Sequence, residues 1–250
     1  MVLAAVGIGL WQVFQTVFAG HQYETQIGEQ RIVQLSDGSV VTLNAVSSME
    51  VRMSSSRRDI VLRGEAIFKV AHDKTRPFLV HTGHATVRAV GTQFNVYARP
   101  DGSTTVAVLE GRVEVAATEN ELREREPLSN IEPVTVSTRM ALAAGEIAQI
   151  GRTGAVQRQE KANVSNAVAW RQRRLVFDRT PLEDIVSEFN RYNRNIRLRL
   201  VNVPEGTHHY SGGFDADDPR SLALYLSKEP DLVVDQQGAE IIIQGRAPQQ

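Results

Sequence analysis

The stretch Val106-Ala-Val-Leu-Glu-Gly-Arg-Val-Glu-Val115 places valines at alternate positions on both sides of a Glu-Gly pair. Such alternation puts the apolar side chains on one face of a β-strand, and the Gly supplies the positive φ that a tight hairpin turn needs. Related patterns surround Asp37-Gly38, Arg63-Gly64, Val90-Gly91 and Ala144-Gly145. The sequence therefore predicts a repetitive β domain with hairpin turns at these five glycines.

The composition excludes several classes of function. A net charge of −1 gives the chain no overall attraction for nucleic acid. The sequence contains no cysteine, which excludes disulfides, thiol nucleophiles and cysteine metal sites. We therefore expect no nucleic-acid partner, and no motif indicates a cofactor.

Residues 1–20 carry no charged side chain. As a helix rising about 1.5 Å per residue, such a run is about 30 Å long, enough to cross a bilayer core. A cleaved signal peptide would begin with basic residues, and a buried core helix would leave a polar face. Neither feature is present, so the sequence favours an uncleaved transmembrane helix at residues 1–20.

The rest of the chain divides into three regions with different residue patterns. Residues 21–152 contain the alternating strands, residues 153–168 are polar and small as in a linker, and residues 169–246 mix strand and helix patterns. The glycine turns are irregularly spaced, which leaves open a β-solenoid-like or a β-sandwich fold for the first domain. The fold class expected is mainly β, followed by a small α+β module.

The α+β module is predicted to run β-α-β, a Gly212-Gly213 turn, then α-β-β. Thr180-Pro181 and Asp218-Pro219 are typical of helix starts. The first helix carries a one-sided apolar stripe that we expect to pack in the module's own core: Leu182, Ile185, Val186 and Phe189.

Several motifs recur in an order that resembles the FecR family of single-pass inner-membrane regulators. In the β domain these are Leu35–Asn44, Arg63–Val70, Arg76–Val80, Val90–Val96 and Val108–Val115. In the tail they are Trp170, Leu175–Phe177, Pro181-Leu182, Phe189–Tyr192, Gly213-Phe214 and Leu222. The tail is similar to the short N-terminal signalling domain of secretins and TonB-dependent receptors.

The resemblance implies a signal relay across the cell envelope. In it, a TonB-dependent receptor of the outer membrane contacts the regulator's periplasmic part, and a cytoplasmic segment of the regulator acts on an extracytoplasmic-function sigma factor. Iron or siderophore uptake is the regulated process that the family suggests. The cytoplasmic segment is expected before Met1, so direct sigma binding is not expected from residues 1–250. The alternative class is an envelope structural or glycan-binding protein that reuses the β scaffold.

Gly91-Thr92 is the candidate for self-cleavage, which the resemblance suggests for some family members. A Thr hydroxyl can attack the preceding carbonyl and form an ester that water then opens. The alternative interpretation is a turn at Gly91 followed by a strand at Thr92. Otherwise the chain is not expected to be an enzyme, because no nucleophile motif accompanies His72-Asp73.

The remaining candidates concern metals and partners. His81, His84 and the pair His208-His209 lack acidic residues at ligand spacing, so the sequence favours no metal site. Tyr192, at the end of the first module helix, is expected to be exposed and available to a partner. Arg197 and Arg199 fall on one face of a predicted strand. This face is either a solvated surface of the sheet, which the sequence favours, or a contact for an acidic partner domain.

Overall fold

A computed structural model describes residues 20–118, 136–159 and 163–246. The transmembrane helix predicted at residues 1–20 lies outside the described residues, apart from Gly20. No helix in the described ranges is long and apolar enough to cross a membrane.

The first domain contains the strands β1 to β13. Their bounds are β1 His21–Glu24, β2 Arg31–Gln34, β3 Val40–Leu43, β4 Ser48–Met53, β5 Arg58–Lys69, β6 Phe78–His81, β7 Ala85–Ala89, β8 Gln93–Ala98, β9 Thr104–Glu110, β10 Arg112–Thr118, β11 Val136–Ala143, β12 Ile147–Ile150 and β13 Val156–Arg158. The first sheet has the order β1-β4-β5-β6-β7-β10-β11, and the second sheet has the order β2-β3-β5-β8-β9-β12-β13. The pairing is antiparallel except between β5 and β6.

The long strand β5 belongs to both sheets. Its first half, residues 58–63, pairs with β4, and its second half, residues 64–69, pairs with β8. The change occurs at Gly64, whose φ is 78°. A Cβ at Gly64 would lie 2.8 Å from the carbonyl oxygen of Val46, so glycine allows the strand to bend from one sheet into the other.

The prediction of five hairpins is confirmed at one glycine and wrong at the others. Gly38 joins the paired strands β2 and β3. Gly91, Gly111 and Gly145 instead join a strand of one sheet to a strand of the other, and Gly64 lies inside β5. Alternation on both sides of a glycine fits either arrangement, because both sheets turn an apolar face towards the same core.

That core lies between the two sheets, as in the sandwich alternative rather than in stacked coils. Phe68 of β5 stacks on Phe94 of the second sheet with ring centres 5.3 Å apart, and meets Phe78 of the first sheet edge-on at 5.8 Å. All three rings are fully buried. Aromatic rings from both sheets therefore interdigitate in one apolar layer.

Arg58, the first residue of β5, is a fully buried cation. Nη1 of Arg58 donates to Oδ2 of Asp37 at 2.8 Å and to the carbonyl of Ala71 at 3.0 Å, while Nε donates to the carbonyl of Arg76 at 2.9 Å. Burial alone would raise the pKa of Asp37, but hydrogen bonds from Ser39 and Arg58 outweigh it and lower that pKa. Arg58 thus ties the β2–β3 hairpin to the loop before β6.

The second domain follows a helical connection. Its elements are α1 Val164–Ala167, a 3₁₀ turn Ala169–Gln172, β14 Arg174–Pro181, α2 Leu182–Tyr192, β15 Arg197–Val201, β16 His209–Asp215, α3 Pro219–Leu226, β17 Leu232–Gln237 and β18 Glu240–Gly245. β14 pairs with β16, and β15-β18-β17 form a separate sheet. Both β13 and α1 lie within residues 153–168, the range interpreted as a linker.

One strand of this α+β module, β16, is not predicted by the sequence pattern. The predicted turn at Gly212-Gly213 is wrong, because both residues lie in β16 and pair with Val176 and Phe177 of β14. A Cβ at Gly212 would lie 3.1 Å from the Phe214 ring, so the missing side chain gives this aromatic ring room. The order is therefore β-α-β-β-α-β-β. Asp218 caps α3 as predicted, accepting from the backbone N–H groups of Arg220 and Ser221.

Candidate functional site: the domain junction

Helix α2 packs in the core of the module with one face and contacts the sandwich with another. Its predicted apolar stripe is buried in the module core, which confirms that prediction: Leu182, Ile185, Val186 and Phe189. The residues Glu188, Arg191 and Tyr192 are spaced three and four apart, so they share another face of the helix. This face contacts the strands β5 and β8 of the second sheet and the residues directly after β3.

Asn44, directly after β3, is the centre of the contact. It is fully buried, and its Nδ2 donates to Oε2 of Glu65 at 2.8 Å and to the hydroxyl of Tyr192 at 2.7 Å. The Tyr192 hydroxyl in turn donates to Oδ1 of Asn44 at 2.9 Å. One amide thus connects a carboxylate of the sandwich with a phenol of the module.

Arg191 lies between two carboxylates from different domains. Its Nη1 is 2.9 Å from Oε2 of Glu188 and 3.4 Å from Oε2 of Glu65, and its Nη2 donates to the carbonyl of Ala45 at 3.0 Å. The side chains of Glu65, Glu188 and Arg191 are 7%, 14% and 9% exposed. When all three are ionised, this largely buried group carries a net charge of −1.

Tyr97 of β8 contacts both Glu188 and Arg191. Its hydroxyl donates a hydrogen bond to Glu188, and the guanidinium carbon of Arg191 lies 4.7 Å from its ring centre. Arg99 lies at the same distance from that ring. Together these residues form what we name the junction cluster: Asn44, Glu65, Tyr97, Glu188, Arg191 and Tyr192.

The electrostatics of the junction cluster follow from burial. Desolvation raises the pKa of Glu65 more than the nearby Arg191 and the amides of Asn44 and Asn95 lower it. Desolvation also raises the pKa of Tyr97, and the neighbouring Glu188 charge adds to the effect. Burial, with a smaller contribution from the neighbouring Glu188 carboxylate, therefore favours the protonated forms of Glu65 and Tyr97.

The loop between β1 and β2 is fastened to the same end of α2. The N–H of Gly28 donates to the carbonyl of Arg191 at 2.9 Å, and Nη1 of Arg173 donates to the carbonyl of Gly28 at 3.1 Å. Gln30 reaches the carbonyl of Trp170 at 2.9 Å, and Arg194 reaches Oε1 of Gln26 at 2.7 Å. The module thus contacts the chain within a few residues of its first described strand.

Gly28 and Arg173 have special backbone geometry at this loop. Gly28 has φ of 73°, and a Cβ there would lie 2.8 Å from the carbonyl oxygen of Tyr192. Arg173 adopts a φ of 56°, lies over the Tyr192 ring and forms a two-point ion pair with Asp217. Beside them opens a polar cleft of about 660 Å³ between the domains.

The partner residues predicted from sequence divide into two groups. The expectation that Tyr192 is exposed is wrong, since it is 4% exposed and its hydroxyl is bonded to Asn44. Arg197 and Arg199 are exposed on one face of β15 as predicted, and Arg199 lies 3.6 Å from Glu240. The three residues therefore do not form one surface.

Gly91-Thr92 lies at the crossing from β7 to β8, away from the junction cluster. Thr92 is buried, and no described residue bonds its hydroxyl. Gly91 is not among the glycines with positive φ. His72 lies against it, because a Cβ at Gly91 would be 3.0 Å from Cα of His72 and would collide with Nδ1 of its ring. The histidine at position 72 thus neighbours the candidate scissile peptide.

Two of the other histidines, His81 and His208, contact neighbouring side chains. His81 lies 3.1 Å from both Oδ1 of Asp59 and the hydroxyl of Thr86, and His208 stacks on Tyr210. Within the ranges that the structure describes, no group of three or more potential ligands is placed to bind a metal ion.

These features define a two-domain class of protein, in which a β-sandwich carries an α+β module through a buried charged contact. A family model described as FecR protein matches residues 21–114 of the chain. No curated protein matches the chain significantly.

Two crystal structures share this fold. They are structures of a candidate anti-sigma factor from Parabacteroides distasonis, at 2.50 and 1.65 Å resolution. Each has a TM-score of 0.74 and 25% identity, over 91% of this chain and 100% of that chain. Because the match spans 91% of the residues, it includes both domains. The family match and the shared fold support a relationship to the FecR family.

Proposed function

We propose that this chain is a regulator of the anti-sigma class. The FecR match over residues 21–114 and the shared fold with a candidate anti-sigma factor support this role. In the fuller form of the proposal, the chain is anchored in the inner membrane by residues 1–20 and its two domains lie in the periplasm. It relays a signal from a TonB-dependent outer-membrane receptor to an extracytoplasmic-function sigma factor.

The observation that carries the proposal is the fastening of the module to the β1–β2 loop. The N–H of Gly28 donates to the carbonyl of Arg191 at the end of α2, and β1 begins at His21, directly after the proposed membrane span. A partner that binds the carboxy-terminal module can therefore act on the part of the chain nearest the membrane. A relay needs this mechanical connection, whereas a passive structural scaffold does not.

The receptor's periplasmic signalling domain is the partner proposed for the module. The strands β15 and β17 are the edges of a three-stranded sheet, with β18 between them. Edge strands can pair with another chain through backbone hydrogen bonds, and the exposed Arg197 and Arg199 of β15 would favour an acidic partner. Such a contact requires neither a catalytic residue nor a cofactor.

A binding measurement tests the receptor step. The probe is the purified signalling domain of a TonB-dependent receptor from the same organism, titrated against the full chain in detergent. The signalling domain of an unrelated receptor is the control. We expect saturable binding of the first domain only, whereas equal or absent binding of both would overturn the receptor step and favour a structural or glycan-binding protein.

A transcriptional reporter tests the regulatory step. Cells carry a promoter driven by the extracytoplasmic-function sigma factor proposed as the partner, with and without the gene of this regulator. We expect a ferric chelate to change reporter output only when the regulator is present. Output that ignores both the regulator and the chelate would contradict the sigma and iron assignments.

Self-cleavage between Gly91 and Thr92 is a second proposed activity. The observation that favours it is the buried, unbonded hydroxyl of Thr92 beside a peptide that His72 flanks. In the proposed step the hydroxyl oxygen adds to the Gly91 carbonyl carbon, the C–N bond breaks, and the Thr92 amine takes the hydroxyl proton. Water then hydrolyses the ester, leaving a carboxylate on Gly91 and the hydroxyl on Thr92.

A further inference from the structure

The junction between the domains contains little apolar contact. Among the described residues, the core of the module includes two buried apolar residues from the sandwich, Ala45 and Ile67. The other members of that core belong to the module region itself, from Trp170 to Ile243. Apolar burial therefore stabilises each domain separately and contributes little to their docking.

The buried polar groups of the junction are only partly neutralised and hydrogen-bonded by one another. The junction cluster places two carboxylates, Glu65 and Glu188, around the single guanidinium of Arg191. In addition, Oδ1 of Asn95 and Nε1 of Trp170 are buried without a hydrogen-bond partner among the described residues. Buried charges and orphaned polar atoms regain hydration when they are exposed, so water would offset the lost contacts if the domains separated.

From these contacts we propose that the junction is a two-state docking contact. In the closed state the module is docked as described, and in the open state it separates as an intact body, with Arg191 and Tyr192 leaving Glu65 and Asn44 together. Because the carbonyl of Arg191 and the side chain of Arg173 bind Gly28, opening also releases the β1–β2 loop. The inference rests on the proposed function for what drives opening, namely a partner bound to the module.

Paired spin labels measure opening directly, without receptor or sigma factor. Because the sequence has no cysteine, Ser55→Cys in the exposed β4–β5 turn and Lys228→Cys after α3 provide two clean label sites. Distances are measured by double electron–electron resonance in the full chain. The test variants are Arg191→Met and Asn44→Ala, and the matched control is Arg197→Met, which changes an exposed arginine of β15.

We expect one narrow distance distribution in the parent chain and in the control. Each test variant should show a second, longer population, with the open-to-closed ratio raised about tenfold or more, the effect of losing one or two buried hydrogen bonds. Asn44→Ala leaves the module sequence intact. It therefore tests the opening of the junction even if Arg191→Met disturbs α2. An unchanged distribution in Asn44→Ala overturns this inference and leaves the receptor binding measurement unaffected.

Discussion

The hydroxyl of Tyr192 donates to Oδ1 of Asn44 at 2.9 Å, between residues that are 148 positions apart in sequence. Asn44 also donates to Glu65 at 2.8 Å, so a single amide connects both domains to the buried carboxylate. Since these groups are shielded from water, the loss of one of them leaves the others unsatisfied.

Replacing Tyr192 by Phe should therefore weaken the junction. The substitution keeps the ring beneath Arg173 but removes the hydroxyl, and we expect a loss of about 1–3 kcal/mol in the free energy of unfolding. Chemical denaturation followed by circular dichroism measures it. The control is Tyr225→Phe, at a residue 38% exposed, where we expect little change. An equal effect of both substitutions would contradict the role given to the Tyr192 hydroxyl.

Glu65 should make stability depend on pH. Desolvation raises its pKa above the ordinary value of 4.5, so the folded state binds a proton more tightly than the unfolded state. Its contribution to stability is consequently best below pH 4.5 and declines as the pH rises through the folded-state pKa.

Glu65→Gln should remove that decline. The variant retains one carboxylate, Glu188, for Arg191 and cannot ionise at position 65. We expect the stability difference between variant and parent to shift in favour of the variant as the pH rises from 4.5, measured by urea unfolding at several pH values. Glu240→Gln, at the exposed pair with Arg199, serves as control. Parallel pH profiles for parent and Glu65→Gln would refute the assignment.

Arg58 should be essential to the sandwich. Its side chain is 0% exposed and Asp37 is 3% exposed, so Arg58→Met would leave a buried carboxylate without its cation. We expect a loss of about 3–5 kcal/mol, measured by thermal or urea unfolding. Arg57→Met is the neighbouring control, because that arginine is 58% exposed and its partner Asp59 keeps its contact with His81. An ion pair formed by a solvent-exposed arginine contributes about 1 kcal/mol or less. Similar losses in both variants would be inconsistent with a special role for the buried pair.

The bend of β5 can be tested with two glycines of similar φ. Gly64 and Gly145 have φ of 78° and 87°, but a Cβ at Gly64 would collide with the Val46–Ser47 backbone while Gly145 has open space around it. Gly64→Ala should therefore destabilise the chain by at least 1 kcal/mol more than Gly145→Ala, roughly the energy of a moderate backbone distortion. Equal melting temperatures for the two variants would show that the close approach at Gly64 is not limiting.

Much of the core was predictable from the sequence, but strand neighbours were not. Alternation around Gly38 and Gly111 identifies which side chains face inwards, because its period matches the strand pleat. The alternation does not indicate which strand lies next to which, so a hairpin and a crossing between sheets produce the same sequence pattern. The pattern around Gly111 therefore predicts a hairpin, although β9 and β10 belong to different sheets.

The junction cluster was missed for a related reason. Glu65 and Tyr97 occupy strand positions that alternate with core residues and therefore normally face solvent. One signal was available: Ala66-Ile67-Phe68 is a continuous apolar run, typical of a strand covered on both faces. Ile67 is in fact buried by the module, but the sequence does not reveal which distant helix provides that cover.

The proposed self-cleavage makes the sharpest chemical prediction. If the Thr92 hydroxyl is the nucleophile, the 27.7 kDa chain should separate into two fragments on a denaturing gel, with Thr92 as the new amino terminus. Hydroxylamine, which opens esters, should accelerate the reaction. Thr92→Ser should retain cleavage and Thr92→Ala should abolish it, whereas His72→Ala should slow it by about 10²-fold or more if the ring assists proton transfer. An intact chain that hydroxylamine leaves unchanged would exclude the ester, and Gly91-Thr92 would then serve only as the crossing between the two sheets.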